Sequence, residues 1–182
     1  MPLSLAATRN ALHRFRRNRR GSAVVEFALV APLFFGLLFA IIEVALMFFA
    51  TQVLETVTQD SARTIMTGQA QEGKYTHQTF KDDLVCPKVS VMFDCKNGIY
   101  VDVQSYSQFA TVAITDPITS GNFVPPNNYS PGGPGDIVVV RLFYKWPIFI
   151  TKLGFNIANL KEGKRLLTAT AAFKNEPYVS GP

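Results

Sequence analysis

The sequence predicts an α+β protein in which one long N-terminal transmembrane helix extends outside the membrane and packs on a small antiparallel sheet. Three observations support this prediction. A basic segment without any acidic residue precedes Gly21, and nearly every residue from Ala23 to Ala50 is apolar. Later in the chain, short runs of β-branched residues are separated by proline, glycine and asparagine. The arginines of the basic segment are Arg9, Arg14, Arg16, Arg17, Arg19 and Arg20.

The apolar stretch from Ala23 to Ala50 is long enough to cross a bilayer. As a helix its 28 residues extend about 42 Å, whereas the hydrocarbon core of a bilayer is about 30 Å thick. Because arginine-rich flanking segments stay in the cytoplasm, we expect residues 1–21 to be cytoplasmic and the chain after Ala50 to be exported. A cleaved secretory signal is the alternative, but its apolar region is shorter and ends at a small-residue site.

The helix is expected to continue beyond the membrane. Apolar residues recur there at steps of three and four, with polar residues between them, which is typical of an amphipathic helix. Gly68 supplies a stop for this helix. We therefore divide the chain into a cytoplasmic leader (1–21), a transmembrane helix (22–50), an exported helical extension (51–68) and an exported α+β domain (69–182).

Besides Glu26, two residues interrupt the apolar character of the transmembrane stretch. Pro32 has no backbone N–H to donate, so we expect a kink or local melting of the helix near Ala28. Glu43 lies 17 residues after Glu26, which is about 25 Å along a helix. We expect Glu43 to be interfacial and solvated near the outer headgroups.

Glu26 is unusual because a carboxylate in a membrane span is costly. It can lie simply at the interface, in the first helical turn, where the helix dipole favours a negative charge. Alternatively, a cut after Gly21 would create an amine on Ser22, four residues from Glu26 on the same helix face. That amine would pair with Glu26 of the same chain or of a neighbouring one.

The residues after Gly21 resemble the class III signal of type IV pilins and pseudopilins, since they read Ser22-Ala-Val-Val-Glu26-Phe27. Proteins with this signal are cut after the glycine and keep glutamate as the fifth mature residue. Three further stretches resemble the TadE-like pilus proteins of tight-adherence systems, with the related TadF and TadG types as alternatives. These stretches are EFALVAPLFFGLLFAIIEVALMFF, LETVTQDSARTIMTGQ and the ending AAFKNEPY.

The resemblance implies a pilin-like fold, a single pass through the bacterial inner membrane and a periplasmic C-terminal domain. It implies cleavage by a prepilin peptidase, with Gly21, Ser22, Glu26 and Phe27 as the recognition residues. The implied partners are this peptidase, other pilin or pseudopilin subunits and the pilus assembly machinery. Incorporation into the pilus itself stays open.

The basic leader is expected to contact membrane lipid. The chain has 18 basic and 13 acidic residues and a formal charge of +5. The leader holds six of the basic residues and none of the acids, so the remainder has 12 basic against 13 acidic residues, a net charge of −1. Anionic headgroups are the expected partner of the leader, and no nucleic-acid binding is predicted.

Four antiparallel strands are expected in the exported domain. Residues 88–93 and 99–104 alternate apolar and polar side chains, and Lys96-Asn97-Gly98 between them is typical of a hairpin turn. Residues 136–146 are the most strand-like run, which Pro147 should end, and residues 165–174 form the fourth strand. The remaining segments are expected to be loops, namely 69–85 with a short helix near 79–84, 116–135, which is rich in proline and glycine, and 148–160 with a short helix.

Cys86 and Cys95 are the two cysteines of the chain and fall on the exported side, where an oxidising compartment favours a disulfide. A straight strand would hold them too far apart to bond, so the segment must bend or the strand must be shorter. Zinc is the competing interpretation, but zinc takes four ligands and only His77 and a carboxylate are near. No metal site is therefore predicted.

An enzyme is not expected. Nucleophilic catalysis needs a serine or cysteine beside a histidine base, and His77 lies in a polar loop without a surrounding motif. Asp82 and Asp83 are adjacent in sequence, and adjacent carboxylates rarely converge on one substrate. We expect a protein without catalytic residues or a cofactor.

Two hypotheses for the function follow. The first is a pseudopilin-like, TadE-like membrane component of tight-adherence pilus assembly that is matured by cleavage after Gly21. The second is an uncleaved, signal-anchored exported domain that binds an unidentified ligand. The mature N-terminus discriminates between the two hypotheses.

Overall fold

The computed structural model describes residues 21–149 and 156–178. The predicted leader, apart from Gly21, and residues 150–155 lie outside the described residues. The chain divides into two units, Met1–Ile41 and Ile42–Pro182. The fold is α+β, with a long apolar helix followed by a small antiparallel sheet, as the sequence predicts.

Helix α1 spans Ser22–Met66 and contains 45 residues. It runs through Ala28 and Pro32 without a break, and a kink at Pro32 stays a prediction. Within the described part of the chain, α1 is long and apolar enough to cross a membrane. It ends as predicted, because Gly68 adopts a φ of 81°, which is a left-handed conformation that glycine favours.

The first 20 residues of α1, in the unit that ends at Ile41, carry large apolar side chains that are mostly exposed. Val24, Phe27 and Leu33 are 68%, 68% and 78% exposed. An apolar helix surface that no protein covers is what a lipid-embedded helix presents, whereas a soluble core helix is buried.

The sequence prediction of a strand at residues 88–93 is wrong. Cys86–Val89 is a one-turn helix and residues 90–93 form a turn. Val85, Val89 and Phe93 are buried while Val91 is fully exposed. The spacing of four residues between Val85, Val89 and Phe93 fits one face of a helix. Over so short a run, the same spacing also fits a strand in which every second residue is buried, so the sequence does not distinguish the two.

The predicted hairpin turn at residues 96–98 is also replaced by a short helix. The backbone N–H of Asn97 donates to Oδ1 of Asp94 at 3.4 Å, so that Asp94 caps the helix Cys95–Gly98. The predicted short helix near residues 79–84 is confirmed in a helical segment that continues to Val89. The short helices are α2 (Gln69–Glu72), α3 (His77–Thr79), a π-helical segment (Phe80–Val85), α4 (Cys86–Val89) and α5 (Cys95–Gly98).

The predicted disulfide is present between Cys86 and Cys95, whose Cα atoms are 5.4 Å apart. It joins the first residue of α4 to the first residue of α5. The turn between these helices supplies the bend that the sequence argument requires.

The main sheet has three antiparallel strands rather than four, because the predicted first strand is helical. The strands are β1 (Ile99–Tyr106), β4 (Ile137–Pro147) and β5 (Lys164–Lys174). They are arranged in the order β1-β4-β5, and Val103 on β1 lies opposite Val140 on β4, which lies opposite Ala171 on β5. Pro147 is the last residue of β4.

The connection between β1 and β4 is less irregular than predicted. It contains a two-stranded ribbon, β2 (Ile118–Thr119) and β3 (Asn122–Phe123). Beside β1, the backbone of Val103 accepts from Ser130 and donates to Asn128. In the connection between β4 and β5, residues 156–160 have no regular secondary structure, and the helix expected in 148–160 is otherwise outside the described residues.

The core lies between the part of α1 after Ile42 and one face of the sheet. Leu54 and Ile65 of α1 are fully buried, as are Val101 and Val140 of the strands. Burial of an aliphatic side chain of this size contributes about 1.5–3 kcal/mol. This segment of α1 therefore serves as the second layer of the domain.

Candidate processing and assembly site

Gly21 directly precedes α1 and is exposed. A Cβ atom added to Gly21 would meet nothing within 4 Å, and its φ is outside the left-handed region. The described part of the chain therefore sets no steric requirement for glycine at this position. If glycine is required, the requirement comes from a molecule that binds this segment.

Ser22 and Glu26 contact each other across the first turn of α1. The hydroxyl of Ser22 donates to Oε1 of Glu26 at 2.8 Å, and both residues are exposed. This contact confirms that the two residues share one helix face. In the uncut chain the nitrogen of Ser22 is a neutral amide, and the hydroxyl is the group that reaches the carboxylate.

Phe27 completes the set of predicted recognition residues. Its side chain is 68% exposed, next to Glu26 in sequence. Gly21, Ser22, Glu26 and Phe27 thus form one exposed segment at the start of α1. The exposed large apolar side chains of α1 begin within this segment, at Val24, and extend to Phe49.

The expectation that Glu43 is solvated is wrong. Glu43 is 8% exposed, and its Oε1 accepts the backbone N–H of Phe149 at 2.6 Å. Phe149 follows β4, so the end of the sheet covers this carboxylate. The sequence shows no sign of the contact, because the two residues lie 106 positions apart.

Sequence reasoning also missed a buried polar cluster on the sheet. Oδ2 of Asp102 accepts from Nε and Nη2 of Arg141, and Oδ1 accepts from Nδ2 of Asn128. Nη1 of Arg141 donates to the carbonyl of Thr115 at 2.8 Å. The cluster ties the long β1–β4 connection to the sheet. The sequence signal for this cluster is one charged residue within each of two mostly apolar runs, Asp102 in one and Arg141 in the other.

The ending Asn175–Tyr178 is held to the rest of the domain by several hydrogen bonds. Nδ2 of Asn175 donates to the carbonyls of Pro131 and Gly133, both at 3.0 Å. The backbone N–H of Glu176 donates to the carbonyl of Met66 at 2.9 Å. These bonds tie the ending to the C-terminus of α1 and to the glycine-rich part of the β1–β4 connection.

Tyr178 completes this contact by packing over Gly68. A Cβ added to Gly68 would lie 2.6 Å from Cγ of the Tyr178 ring. Burial raises the pKa of Tyr178, and the charges of Asp136 and Glu72 raise it further. Its hydroxyl donates to the carbonyl of Gly132 at 3.3 Å.

The groups considered for catalysis have structural contacts. Nε2 of His77 lies 3.0 Å from the carbonyl oxygen of Val101, to which it can only donate. Asp82 accepts from Nε2 of Gln78 at 2.7 Å. Among the residues that the structure describes, no three His, Cys, Asp or Glu side chains are grouped to hold a metal ion.

The comparisons with known proteins concern the same end of the chain. The model of the family described as TadE-like protein matches residues 21–63. The match starts at Gly21 and covers all four predicted recognition residues and most of α1, so the TadE-like resemblance is confirmed for this segment. No curated protein and no solved structure matches the chain.

Proposed function

We propose that this chain, with its TadE-like segment at residues 21–63, is a pseudopilin-like membrane component of tight-adherence pilus assembly, matured by a prepilin peptidase that cuts after Gly21. The observation that carries the proposal is the contact between Ser22 and Glu26 at the start of an exposed apolar helix. Its partners are the peptidase, other pilin or pseudopilin subunits, the assembly machinery and membrane lipid.

The proposed location is the bacterial inner membrane. The exposed apolar surface of α1 provides the anchor, and the arginines before Gly21 keep the N-terminus in the cytoplasm. The chain after the span, which includes the disulfide between Cys86 and Cys95, is then in the periplasm, where disulfides form and persist.

Cleavage after Gly21 would change the chemistry of the Ser22–Glu26 contact. The backbone nitrogen of Ser22 would become an ammonium group on a residue whose hydroxyl already lies 2.8 Å from the carboxylate. The hydroxyl brings no charge to the carboxylate, whereas an ammonium group would add a direct attraction between opposite charges to the hydrogen bond. In the apolar surroundings of a membrane, the paired amine and carboxylate would be far less costly than either charge alone.

The same pair can form within one chain or between neighbours. A neighbouring helix displaced along the membrane normal would place its Ser22 amine near this Glu26. The pairing would then set the axial register between subunits, while the exposed apolar side chains supply the helix–helix contact. The protein acts in this scheme as an assembly subunit and not as an enzyme.

The N-terminus of the protein tests the proposal. Mass spectrometry of the membrane-purified protein from its native host should show a chain that begins at Ser22. A chain that retains Met1 would instead support the alternative, an uncleaved signal-anchored domain that binds another ligand. Because the space around Gly21 is open, Gly21→Leu should fold normally and block the cut, which separates recognition from stability.

A Glu26→Val variant tests the role of the carboxylate after cleavage. Because Glu26 is also a predicted recognition residue, the N-terminal mass of this variant is measured first. The molecules that have been cut after Gly21 should still fail to enter the assembly, measured by cross-linking to pilus subunits. Phe27→Leu is the matched control, since it changes the adjacent exposed residue without removing a charge. Normal assembly of Glu26→Val would refute pairing between the amine and the carboxylate.

A further inference from the structure

We propose that Phe149, at the end of β4, is a second membrane contact that inserts into the outer interface of the bilayer beside α1 and is held there by Glu43. This inference rests on the membrane anchoring in the proposed function. It adds a lipid-facing part to the exported domain itself. The proposed occupant of this surface is the bilayer, because Phe149 is hydrogen-bonded to Glu43, which belongs to the predicted transmembrane stretch of α1.

The extent of the exposed apolar surface of α1 sets the depth of Glu43. Exposed large apolar side chains begin at Val24 and end at Phe49. The 25 residue steps between them extend about 38 Å, between the 30 Å of the hydrocarbon core and the 40–45 Å of the whole bilayer. Glu43 lies six residues before Phe49, about 9 Å below the outer end of this surface. The carboxylate is therefore at membrane depth.

The hydrogen bond between Glu43 and Phe149 satisfies both groups at this depth. A carboxylate at the depth of the membrane is costly unless it has a partner. A backbone N–H in a non-helical segment is equally costly in lipid, where no water replaces the missing partner. Oε1 of Glu43 accepts the N–H of Phe149 at 2.6 Å, so one contact removes both costs. It also fixes the end of β4 at the level of Glu43.

The side chains around this contact suit a lipid interface. Phe149 is 74% exposed, and Leu46 and Phe49 of α1, which follow Glu43, are 49% and 58% exposed. Trp146, three residues before Phe149, makes edge contacts with the rings of Phe93 and Tyr144. Tryptophan and tyrosine are enriched where proteins meet the membrane interface.

Single exposed aromatic residues also occur on protein surfaces that face water. Phe109 therefore serves as the control for Phe149. It is 68% exposed, so its exposure is close to that of Phe149. It follows Tyr106, which pairs with Ile137 at the opposite end of β4, about 33 Å from Pro147 at the spacing of strand residues. Phe109 therefore lies far from the contact with Glu43.

Tryptophan fluorescence tests the inference, because Trp146 is the one tryptophan of the chain. In a Trp146→Phe background, tryptophan is placed singly at position 149, 109 or 34. The full-length variants are reconstituted in vesicles of phosphatidylcholine brominated near the headgroup end of the acyl chains, and the variant at position 34 is reconstituted in vesicles brominated near the chain ends. We expect Phe149→Trp to be quenched several-fold more than Phe109→Trp, and Phe34→Trp to report insertion of the anchor.

The outcomes separate the two proposals. If Phe34→Trp is quenched and Phe149→Trp is quenched no more than Phe109→Trp, the second contact is refuted and the anchor stands. If Phe34→Trp is not quenched, both the anchor and the second contact are refuted. Adding Glu43→Leu should lower the quenching at position 149, whereas Glu43→Gln, which keeps an acceptor, should preserve it. Equal quenching with Glu43→Leu would show that Glu43 does not hold Phe149.

Discussion

Arg141 donates two hydrogen bonds to one carboxylate oxygen of Asp102, from Nε at 2.9 Å and from Nη2 at 2.7 Å. The two residues lie opposite each other on β4 and β1, and both side chains are buried. A buried ion pair is weak support for net stability, because desolvation offsets the attraction between the charges. Removal of one partner is different, since it leaves the other charge buried and unpaired.

We therefore expect Asp102→Leu to destabilise the domain by about 3–5 kcal/mol. The double variant Asp102→Leu with Arg141→Met should recover most of this loss, because it removes both charges. The measurement is urea unfolding of the full-length protein in detergent micelles, followed by near-UV circular dichroism.

The exposed ion pair of Lys88 with Asp60, at 3.4 Å, is the matched control. Asp60→Ala should change the unfolding free energy by less than about 1 kcal/mol, because solvent screens this pair. If Asp102→Leu costs no more than Asp60→Ala, the buried cluster does not hold the β1–β4 connection on the sheet.

Replacement by alanine should destabilise the protein at Gly68 but not at Gly21. Gly68 has a φ of 81° and faces the Tyr178 ring, whose Cγ would lie 2.6 Å from the added Cβ. The left-handed conformation alone costs a non-glycine residue roughly 1–2 kcal/mol, and the clash adds to this. Gly68→Ala should therefore lower the unfolding midpoint in the same micelle assay, whereas Gly21→Ala should leave it unchanged.

A double-mutant cycle separates the two causes at Gly68. In a Tyr178→Ala background the clash is absent, so Gly68→Ala should cost only the conformational part. If the cost is the same in both backgrounds, the ring of Tyr178 does not restrict this position.

The long helix and the three strands of the main sheet could be predicted because their signals are local. An uninterrupted apolar run defines α1 and Gly68 ends it, while β-branched residues mark β4 up to Pro147 and also the last strand. The first hairpin was mispredicted because Val89 and Phe93 fit a period of two as well as a period of four. The short stretch contains too few residues to separate these periods.

The contacts of the charged residues could not be predicted, because they depend on the tertiary fold. Glu43 meets Phe149 across 106 positions, and Asp102 meets Arg141 across 39 positions. By contrast, Ser22 and Glu26 are four residues apart on a helix, so the helical repeat alone places them together. Sequence reasoning thus reached the candidate processing site and missed the buried polar groups of the domain.

The folded protein should lose stability at alkaline pH because Tyr129 titrates differently in the folded and unfolded states. Burial raises the pKa of Tyr129 to about 12, with a smaller contribution from Tyr75, whereas tyrosine in an unfolded chain titrates at about 10. As the pH rises above about 10, the unfolded state loses this proton before the folded state does, so stability falls until about pH 12. In Tyr129→Phe this fall should be smaller, measured by urea unfolding at about pH 8 and about pH 11.

The same variant should be tolerated at neutral pH. Among the described residues the hydroxyl of Tyr129 is buried without a hydrogen-bond partner, so its removal relieves a desolvation cost. The ring would keep its contact with Phe80 at 5.5 Å between centroids. A clear loss of stability in Tyr129→Phe at pH 8 would mean that the hydroxyl has a partner in the folded protein.

Ser22→Ala decides which group of Ser22 serves Glu26 in the mature protein. In the uncut chain the hydroxyl is the donor to Glu26, and the pairing proposed after cleavage uses the new amine instead. Ser22→Ala removes the hydroxyl but keeps that amine, so cleavage and assembly should remain normal, whereas Glu26→Gln should reduce assembly because the negative charge is lost. Both variants are compared by the N-terminal mass and by cross-linking to neighbouring subunits. If Ser22→Ala abolishes assembly as fully as Glu26→Gln, the hydroxyl is the essential donor and the mature amine has another partner.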